Sequence, residues 1–190
     1  GQIAAQLLSL SGVRVIVLDY DEARLNLAQK SGAEKCYNLA ADSIKTNIVN
    51  LTDGIGCDGI LIAAATDSNE PFIIAADIAR DRARVCMVGM SGTEFPYAEF
   101  MKKEMSIIVS RSYGPGRYDQ DYEGRGIKYP IGFIRWTETE NLAEIMRLLS
   151  PSTKNKLNLS SLITHQFDIN TADDAYKMIL GETIPHLGVI

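Results

Sequence analysis

The sequence predicts an α/β fold built on a doubly wound parallel sheet, and three observations carry that prediction. Short, β-branched apolar runs recur along the chain as "VRVIVLD", "DGILIAAA" and "ARVCMVG". Each reads as continuously apolar rather than alternating, the pattern of a strand buried on both faces. Segments of helical period stand between them, and strands that alternate with helices imply right-handed β-α-β crossovers.

The elements follow in order. Residues 1–12 read as the tail of a helix, and 13–19, "VRVIVLD", as a strand. Asp21 is placed to cap a helix over Arg24 to Lys30 that carries Leu25 and Ala28 on one face, and Gly32 stops it. A short segment from Lys35 to Asn38 comes next, then a helix from Ala41 to Leu51, the strand "DGILIAAA", a helix from Pro71 to Ala79 and the strand "ARVCMVG". A connector holding Pro96 leads to another strand, "MSIIVSR".

Between Ser112 and Trp136 the texture changes to "SYGPGRYDQDYEGRGIKYPIGFIRW", a long loop holding four of the eight tyrosines. Loops of this length in compact domains carry function or an interface. Thr137, with Glu140 three residues on, forms the signature of a capping box. Leu142, Ile145, Met146 and Leu149 then recur at helical spacing. A polar link with Pro151, a strand "SLITHQFDI", a capped helix "NTADDAYKMIL" ended by Gly181 and a short strand "HLGVI" complete the chain.

Bulk properties narrow the function classes. With 190 residues, 46% of them hydrophobic, the chain can bury a real core. A formal charge of -5 offers no attraction to nucleic acid or to an anionic membrane, so neither is expected as a partner. Cys36, Cys57 and Cys86 are scattered and odd in number, which suggests neither a disulfide framework nor a metal knuckle, and a reducing cytoplasm fits best. The longest apolar runs fall far short of the roughly 20 residues that span a bilayer.

The chemistry centres on Asp19. In a Rossmann-like dinucleotide-binding unit a glycine-rich turn joins the first strand to a helix whose amides hold the pyrophosphate, and an acid ending the second strand binds the ribose hydroxyls. Asp19 sits where that acid belongs, and Gly1 where the last glycine of the turn belongs. The first strand would then precede residue 1, so a truncated fold and a fragment of a longer protein are expected. In strand order 3-2-1-4-5-6 the lost strand is central. Its neighbours are therefore expected to close the gap by pairing "VRVIVLD" with "DGILIAAA", or to accept a strand from a terminus or from another copy.

"VIVLDYDEARLNLAQKSGA", "TDGIGCDGILIAAA", "RARVCMVG" and "SLITHQFDINTADDAYKMILGE" follow an order and spacing that resembles the medium-chain, zinc-type alcohol dehydrogenase superfamily over nearly the whole chain. "SRSYGPGRYDQDYEGRGIKYPIGFIRWTE" looks like the bacterial two-part oxidoreductases, in which a zinc-dehydrogenase-like half precedes a glucose-fructose-oxidoreductase-like half and which are often linked to surface polysaccharide synthesis. The resemblance implies an NAD-binding Rossmann-like domain over 1–136, and a C-terminal α+β segment over 137–190 that would rejoin an absent catalytic domain. It implies hydride transfer between an alcohol or sugar-type substrate and nicotinamide in the parent enzyme, with this chain inactive alone.

The implied cofactor-binding positions are Gly1, Asp19, Arg24, Ala63, Ala64, Val88, Gly89, Met90, Arg111, Ser112 and Tyr113. Asp19 would hold the ribose and repel the extra phosphate of NADP, favouring NAD. Arg24 would lie near the same ribose. Ala63 and Ala64, with Val88 to Met90, would contact adenine and nicotinamide, and Arg111 to Tyr113 would flank the nicotinamide ring. Zinc belongs to the parent enzyme only, because the superfamily's ligands lie in an N-terminal domain and two His with three scattered Cys do not form such a set. Where many relatives carry an Arg that pairs with the pyrophosphate, this chain reads "IPHLGVI".

His165 reads as a core or interface histidine, His186 as exposed, and the cysteines as core fillers. The Tyr and Arg loop is either a subunit contact, with a homo-oligomer the consequence, or a wall of the substrate cleft with Arg117 facing an anionic or sugar-nucleotide substrate. Two other functions stay open. One is an S-adenosylmethionine-type transferase, which also uses an acid at the end of its second strand; the other is a non-catalytic assembly module.

Overall fold

A computed structural model describes residues 1–40, 43–154, 156–181 and 184–190. Helix α1 (Gln2–Leu10) leads into strand β1 (Ile16–Asp19), α2 (Glu22–Lys30) and β2 (Lys35–Asn38). Next come α3 (Ile44–Leu51), β3 (Cys57–Ile62), α4 (Glu70–Ile78), β4 (Ala79–Met87), α5 (Tyr97–Lys102) and β5 (Ser106–Val109). The remainder holds α6 (Gln120–Glu123), α7 (Glu138–Leu149), β6 (Ile163–His165), α8 (Ala172–Gly181) and β7 (Gly188–Val189). Among the described residues no helix is long and apolar enough to cross a membrane.

Local chemistry sets the helix ends. The Asp21 carboxylate accepts from the N–H groups of Ala23 at 2.7 Å and Arg24 at 3.3 Å, a cap worth about 1 kcal/mol. The Glu140 carboxylate takes both the N–H and the hydroxyl of Thr137 at 2.9 Å, as the capping-box signature predicts. Asp168 caps a 3₁₀ turn (Ile169–Thr171) that feeds α8. The start of the helix expected from Ala41 falls on residues 41–42, outside the described residues. Two short helices were not foreseen: α5 forms in the Pro96 connector, and α6 lies inside the long loop, its start capped by Asp119.

Every strand pair is parallel, as expected, but the strands fall into three separate sheets, β1-β2, β3-β4-β5 and β6-β7. Neither route to closing the gap that was expected within the chain is therefore formed. Strand β1 does not pair with β3, and the terminal strand β7 pairs with β6 instead of filling the space. The position of α1 explains this. Gly1 lies against Ala63 just beyond β3, a Cβ built there standing 3.9 Å from the Ala63 Cβ, and its nitrogen lies near Asp19 at the end of β1. The two strands cannot close on each other without expelling the start of that helix. Strand β3 consequently departs from its expected burial, with Gly59 and Leu61 exposed.

The main core lies under the three-stranded sheet, where Ile62, Phe72, Ala75, Ala76, Val85 and Phe100 pack together. The Phe72 ring meets Phe95 and Phe100 at centroid distances of 6.2 and 6.1 Å. Lys103 donates to the carbonyls of Ala76 and Ala79, a cation satisfying the C-terminal end of α4. The two larger sheets are tied together by helices: α1 packs on α2, and α3 packs on α4 with Lys45 bound to Asp77 at 2.9 Å. The C-terminal segment folds back onto α1 through a buried amide. Gln6 donates to the Asn158 carbonyl at 3.0 Å and accepts from its N–H at 2.9 Å.

Truncating Phe72 to Ala is expected to lower stability by about 3–5 kcal/mol, since the side chain is fully buried among three elements. Replacing Gln6 by Ala removes both hydrogen bonds to the Asn158 backbone and is expected to cost about 0.5–1.5 kcal/mol. Urea unfolding of both variants checks these values. A Gln6→Ala midpoint equal to that of the wild type would mean the return segment is not anchored through this amide.

Candidate functional site

The carboxyl ends of β1, β3, β4 and β5 collect the residues singled out in the sequence. At the first of them, the half-buried Asp19 ends β1 and its carboxylate accepts from the Asp21 N–H at 3.0 Å, turning the chain into α2. The start of α1 stands beside it. No acidic residue and no capping side chain serve its first turn, whose leading N–H groups therefore lack intrahelical acceptors. Gln2 donates to the Arg24 carbonyl at 2.9 Å, while its own side-chain oxygen is buried without a partner among the described residues. Arg24 lies on the same side but returns to Asp21 at 3.5 Å. The Tyr20 hydroxyl donates to Glu70 at 2.7 Å, joining the end of β1 to the start of α4.

The second part of the edge is backbone. The Ile62 carbonyl accepts from the N–H groups of both Val88 and Gly89 at 2.9 Å, and Thr66 donates to the Met90 carbonyl at 2.9 Å. Ala63 and Ala64 are exposed there, and a Cβ on Gly89 would collide with the Ala64 carbonyl oxygen. Val88 is 54% and Met90 81% exposed, so this lip presents apolar side chains outward. Ser110 donates to the Met87 carbonyl at 2.9 Å and carries the edge on to Arg111, Ser112 and Tyr113.

The long loop that follows is held by side chains rather than by regular structure. Asp119 caps α6 and also accepts from the Tyr129 hydroxyl. Tyr129 stacks on Tyr122 at 5.4 Å, and the Tyr122 hydroxyl lies 2.8 Å from that of Thr137 and 2.9 Å from that of Thr139. Gly116, with φ at +106°, lies so close under the Tyr122 ring that a Cβ there would sit 2.8 Å from it. Tyr113 and Tyr118 adopt left-handed backbone conformations, φ +61° and +67°, each costing about 1–3 kcal/mol. Asn141 holds the first by donating to the Tyr113 carbonyl at 2.9 Å.

Within this frame the guanidinium of Arg117 lies 4.6 Å from the Tyr118 ring centroid and 5.4 Å from that of Tyr113, while Arg111 lies 5.5 Å from that of Tyr118. Arg117, which one of the two sequence readings of this loop turns toward a substrate, is bound to Glu123 at 2.7 Å. Hydrogen bonding from Ser112 and then from Arg117, with the two nearby cations, holds the Tyr118 phenol below its usual range. The Tyr129 phenol is pushed up by its bond to Asp119. Sequence reasoning missed Tyr118; its only signal was its place next to Arg117 in a loop of repeated tyrosines.

The remaining candidates are placed as follows. His165 is half-buried in β6 with Nδ1 3.0 Å from the Thr164 hydroxyl. His186, expected exposed, is half-buried with Nδ1 2.9 Å from the Ile184 carbonyl. The three cysteines are free and half-buried rather than core, and burial pushes the Cys36 and Cys57 thiols up, away from the thiolate form. Among the described residues no three His, Cys, Asp or Glu side chains gather as metal ligands.

Comparison with known proteins agrees with this architecture. The chain is 27% identical to a sorbitol dehydrogenase of Halalkalibacterium halodurans over 97% of its own length and 47% of that protein. It is also 27% identical to an L-threonine 3-dehydrogenase of Shewanella frigidimarina, covering 90% of this chain and 42% of the relative. It thus spans about half the length of these relatives. The galactitol-1-phosphate dehydrogenase of Escherichia coli superposes with a TM-score of 0.70 at 22% identity, over 96% of this chain and 48% of that one, which shows the shared fold. Residues 1–124 match the zinc-binding dehydrogenase family over more than half of the chain, and the protein belongs to that family.

Proposed function

We propose that this chain is the NAD(H)-binding part of a longer medium-chain dehydrogenase, one that moves hydride between nicotinamide and an alcohol or sugar-type substrate, and that it is inactive alone. The observation that carries the reading is the placement of Asp19 beside the uncapped start of α1, on the edge where β3 and β4 end in bare backbone. The fit to a dinucleotide is chemical. Free helix N–H groups suit a pyrophosphate, and an acceptor carboxylate next to them suits a ribose diol. Asp19 would repel a 2′-phosphate, which favours NAD over NADP. Arg24 would approach the same ribose, Gly1 the pyrophosphate, and Ala63, Ala64, Val88, Gly89 and Met90 the flat faces of the cofactor. Arg111, Ser112 and Tyr113 would border the nicotinamide.

A solved relative 24% identical to this chain is described as a complex with NADH, which supports the choice of cofactor. Residues 1–136 would supply this binding function, and 137–190 would return the chain toward the rest of the enzyme. Zinc is a different case. The described residues do not gather a ligand set, so any metal chemistry would require ligands from elsewhere in the parent protein.

Titration of the chain with NADH, followed by nicotinamide fluorescence, is expected to show saturable binding that Asp19→Ala weakens about tenfold or more, the loss of a hydrogen bond to a charged group. The same variant is expected to narrow the gap between NADH and NADPH. Saturable binding of S-adenosylmethionine with no response to NADH would favour the transferase alternative instead, and binding of NADH unaffected by Asp19→Ala would remove this residue from the site.

A further inference from the structure

We propose that Arg111, together with Tyr118 and Ser112, forms an oxyanion-binding site at the end of β5, suited to the carboxylate or phosphate of a small ligand. Of the two arginines beside Tyr118, one is already in an ion pair. Arg117 is committed to Glu123. Arg111 is exposed and makes no ion pair among the described residues. Its guanidinium is nevertheless held, because one terminal N–H group donates to the Arg117 carbonyl at 2.9 Å and the group lies over the Tyr118 ring. A guanidinium has five N–H donors, and this arrangement uses one. Held in that way and otherwise unspent, it suits bidentate recognition of a planar or tetrahedral oxyanion.

The neighbouring groups agree. The Tyr118 oxygen lies among Ser112, Arg117 and Arg111; Ser112 orients it by donating to it, which leaves the Tyr118 hydroxyl proton free to donate to a bound anion. A competing carboxylate is Asp119, whose field reaches Arg111, but it is occupied by the Tyr129 hydroxyl and by the N–H groups of Asp121 and Tyr122. Glu123 is occupied by Arg117. The backbone of the site is set in advance by the left-handed turns at Tyr113 and Tyr118 and by the Asn141 bond, so little order is lost on binding. That the anion belongs to a substrate, an acidic or phosphorylated polyhydroxylated molecule, rests on the dehydrogenase reading. Binding of the anion itself does not.

The test uses the whole chain without nucleotide at constant ionic strength. Inorganic phosphate and, separately, gluconate are titrated while the Tyr118 ring resonances and tyrosinate absorbance are followed, with Tyr118→Phe assigning the signal. The expected result is a saturable change with one or both anions, and a rise in the Tyr118 phenol pKa when the site is filled. The stronger of the two responses identifies phosphate or carboxylate as the preferred group. Arg111→Ala should weaken the response at least tenfold, and Arg111→Lys, which keeps the charge but not the fork, should weaken it less. Arg82→Ala, at a distant exposed arginine paired with Glu104, should leave it unchanged. If Arg111→Ala fails to fold, Tyr118→Phe followed by calorimetry should still lower the affinity several-fold. Absence of saturation with both anions would overturn the proposal, as would a response that persists in Arg111→Ala or is lost equally in Arg82→Ala. Phosphate held at the start of α1 would survive loss of Arg111, so failure here and failure of nicotinamide binding are separately visible.

Discussion

The arrangement of the whole edge depends on a close approach of backbones where β3 and β4 end. Gly89 runs directly against the Ala63–Ala64 peptide, and a single carbonyl, that of Ile62, receives two consecutive N–H groups from the neighbouring segment. Neither alanine nor glycine places bulk between the strands, so the two ribbons stay joined past their regular ends through the Ala65–Met90 bridge. The larger side chains on either side, Val88 and Met90, have no room inward and turn to solvent. A methyl group at residue 89 would drive the strands apart directly above Ile62 and Val85, both buried in the core. The composition of the lip and the integrity of the core are thus one constraint.

A second constraint acts across the gap between the sheets. Parallel strands with unpaired edges carry N–H and C=O groups that would gain from pairing, and direct contact of β1 with β3 would supply it. The helices prevent that contact. Helix α1 packs on α2 while its first residue lies against Ala63, and α3 is fixed to α4 by packing and by the Lys45–Asp77 pair. Spacing set by helix packing on the faces therefore overrides hydrogen bonding within the plane. The same spacing keeps the uncapped start of α1 level with Asp19, where its free N–H groups remain available.

Much of this was legible from residues alone where the cause is local. Asp21 and Thr137 cap helices because a short acceptor side chain or a Thr–Glu pair satisfies neighbouring N–H groups, and both positions behave as read. The strand runs were visible because burial on both faces leaves an apolar signature. The limits were equally physical. Helix α5 spans six residues and α6 four, too few for a periodic pattern to declare itself. Pairing of β1 with β3 is expected from sequence because edge pairing is visible there while the helices that hold the edges apart are not. The sequence reading gives Arg111 a place beside the nicotinamide and the anion-facing role to Arg117, because sequence shows a charge but not its partner, and Glu123 lies six residues further on, beyond a turn that spacing rules do not describe.

The loop shows how a segment without regular structure becomes rigid enough to matter. Its tyrosines do not form an apolar core; they act as hydrogen-bonding struts, Tyr129 to Asp119 and Tyr122 to Thr137 and Thr139, with the latter threonines at the start of α7. Helix α7 also supplies Asn141 to the Tyr113 carbonyl, and Glu138 donates its N–H to the Pro115 carbonyl at 2.8 Å. The loop is therefore clamped at both ends to one helix. That clamp is what sustains two left-handed tyrosines, a strained state that would relax in a free loop. Holding the strain fixes the Arg111–Tyr118–Arg117 cluster, with two cations around one ring, on a chain whose net charge is -5. Cations placed at random on such a surface would find carboxylates. Here the nearby carboxylates have been given other partners, and that allocation leaves Arg111 without an ion pair among the described residues.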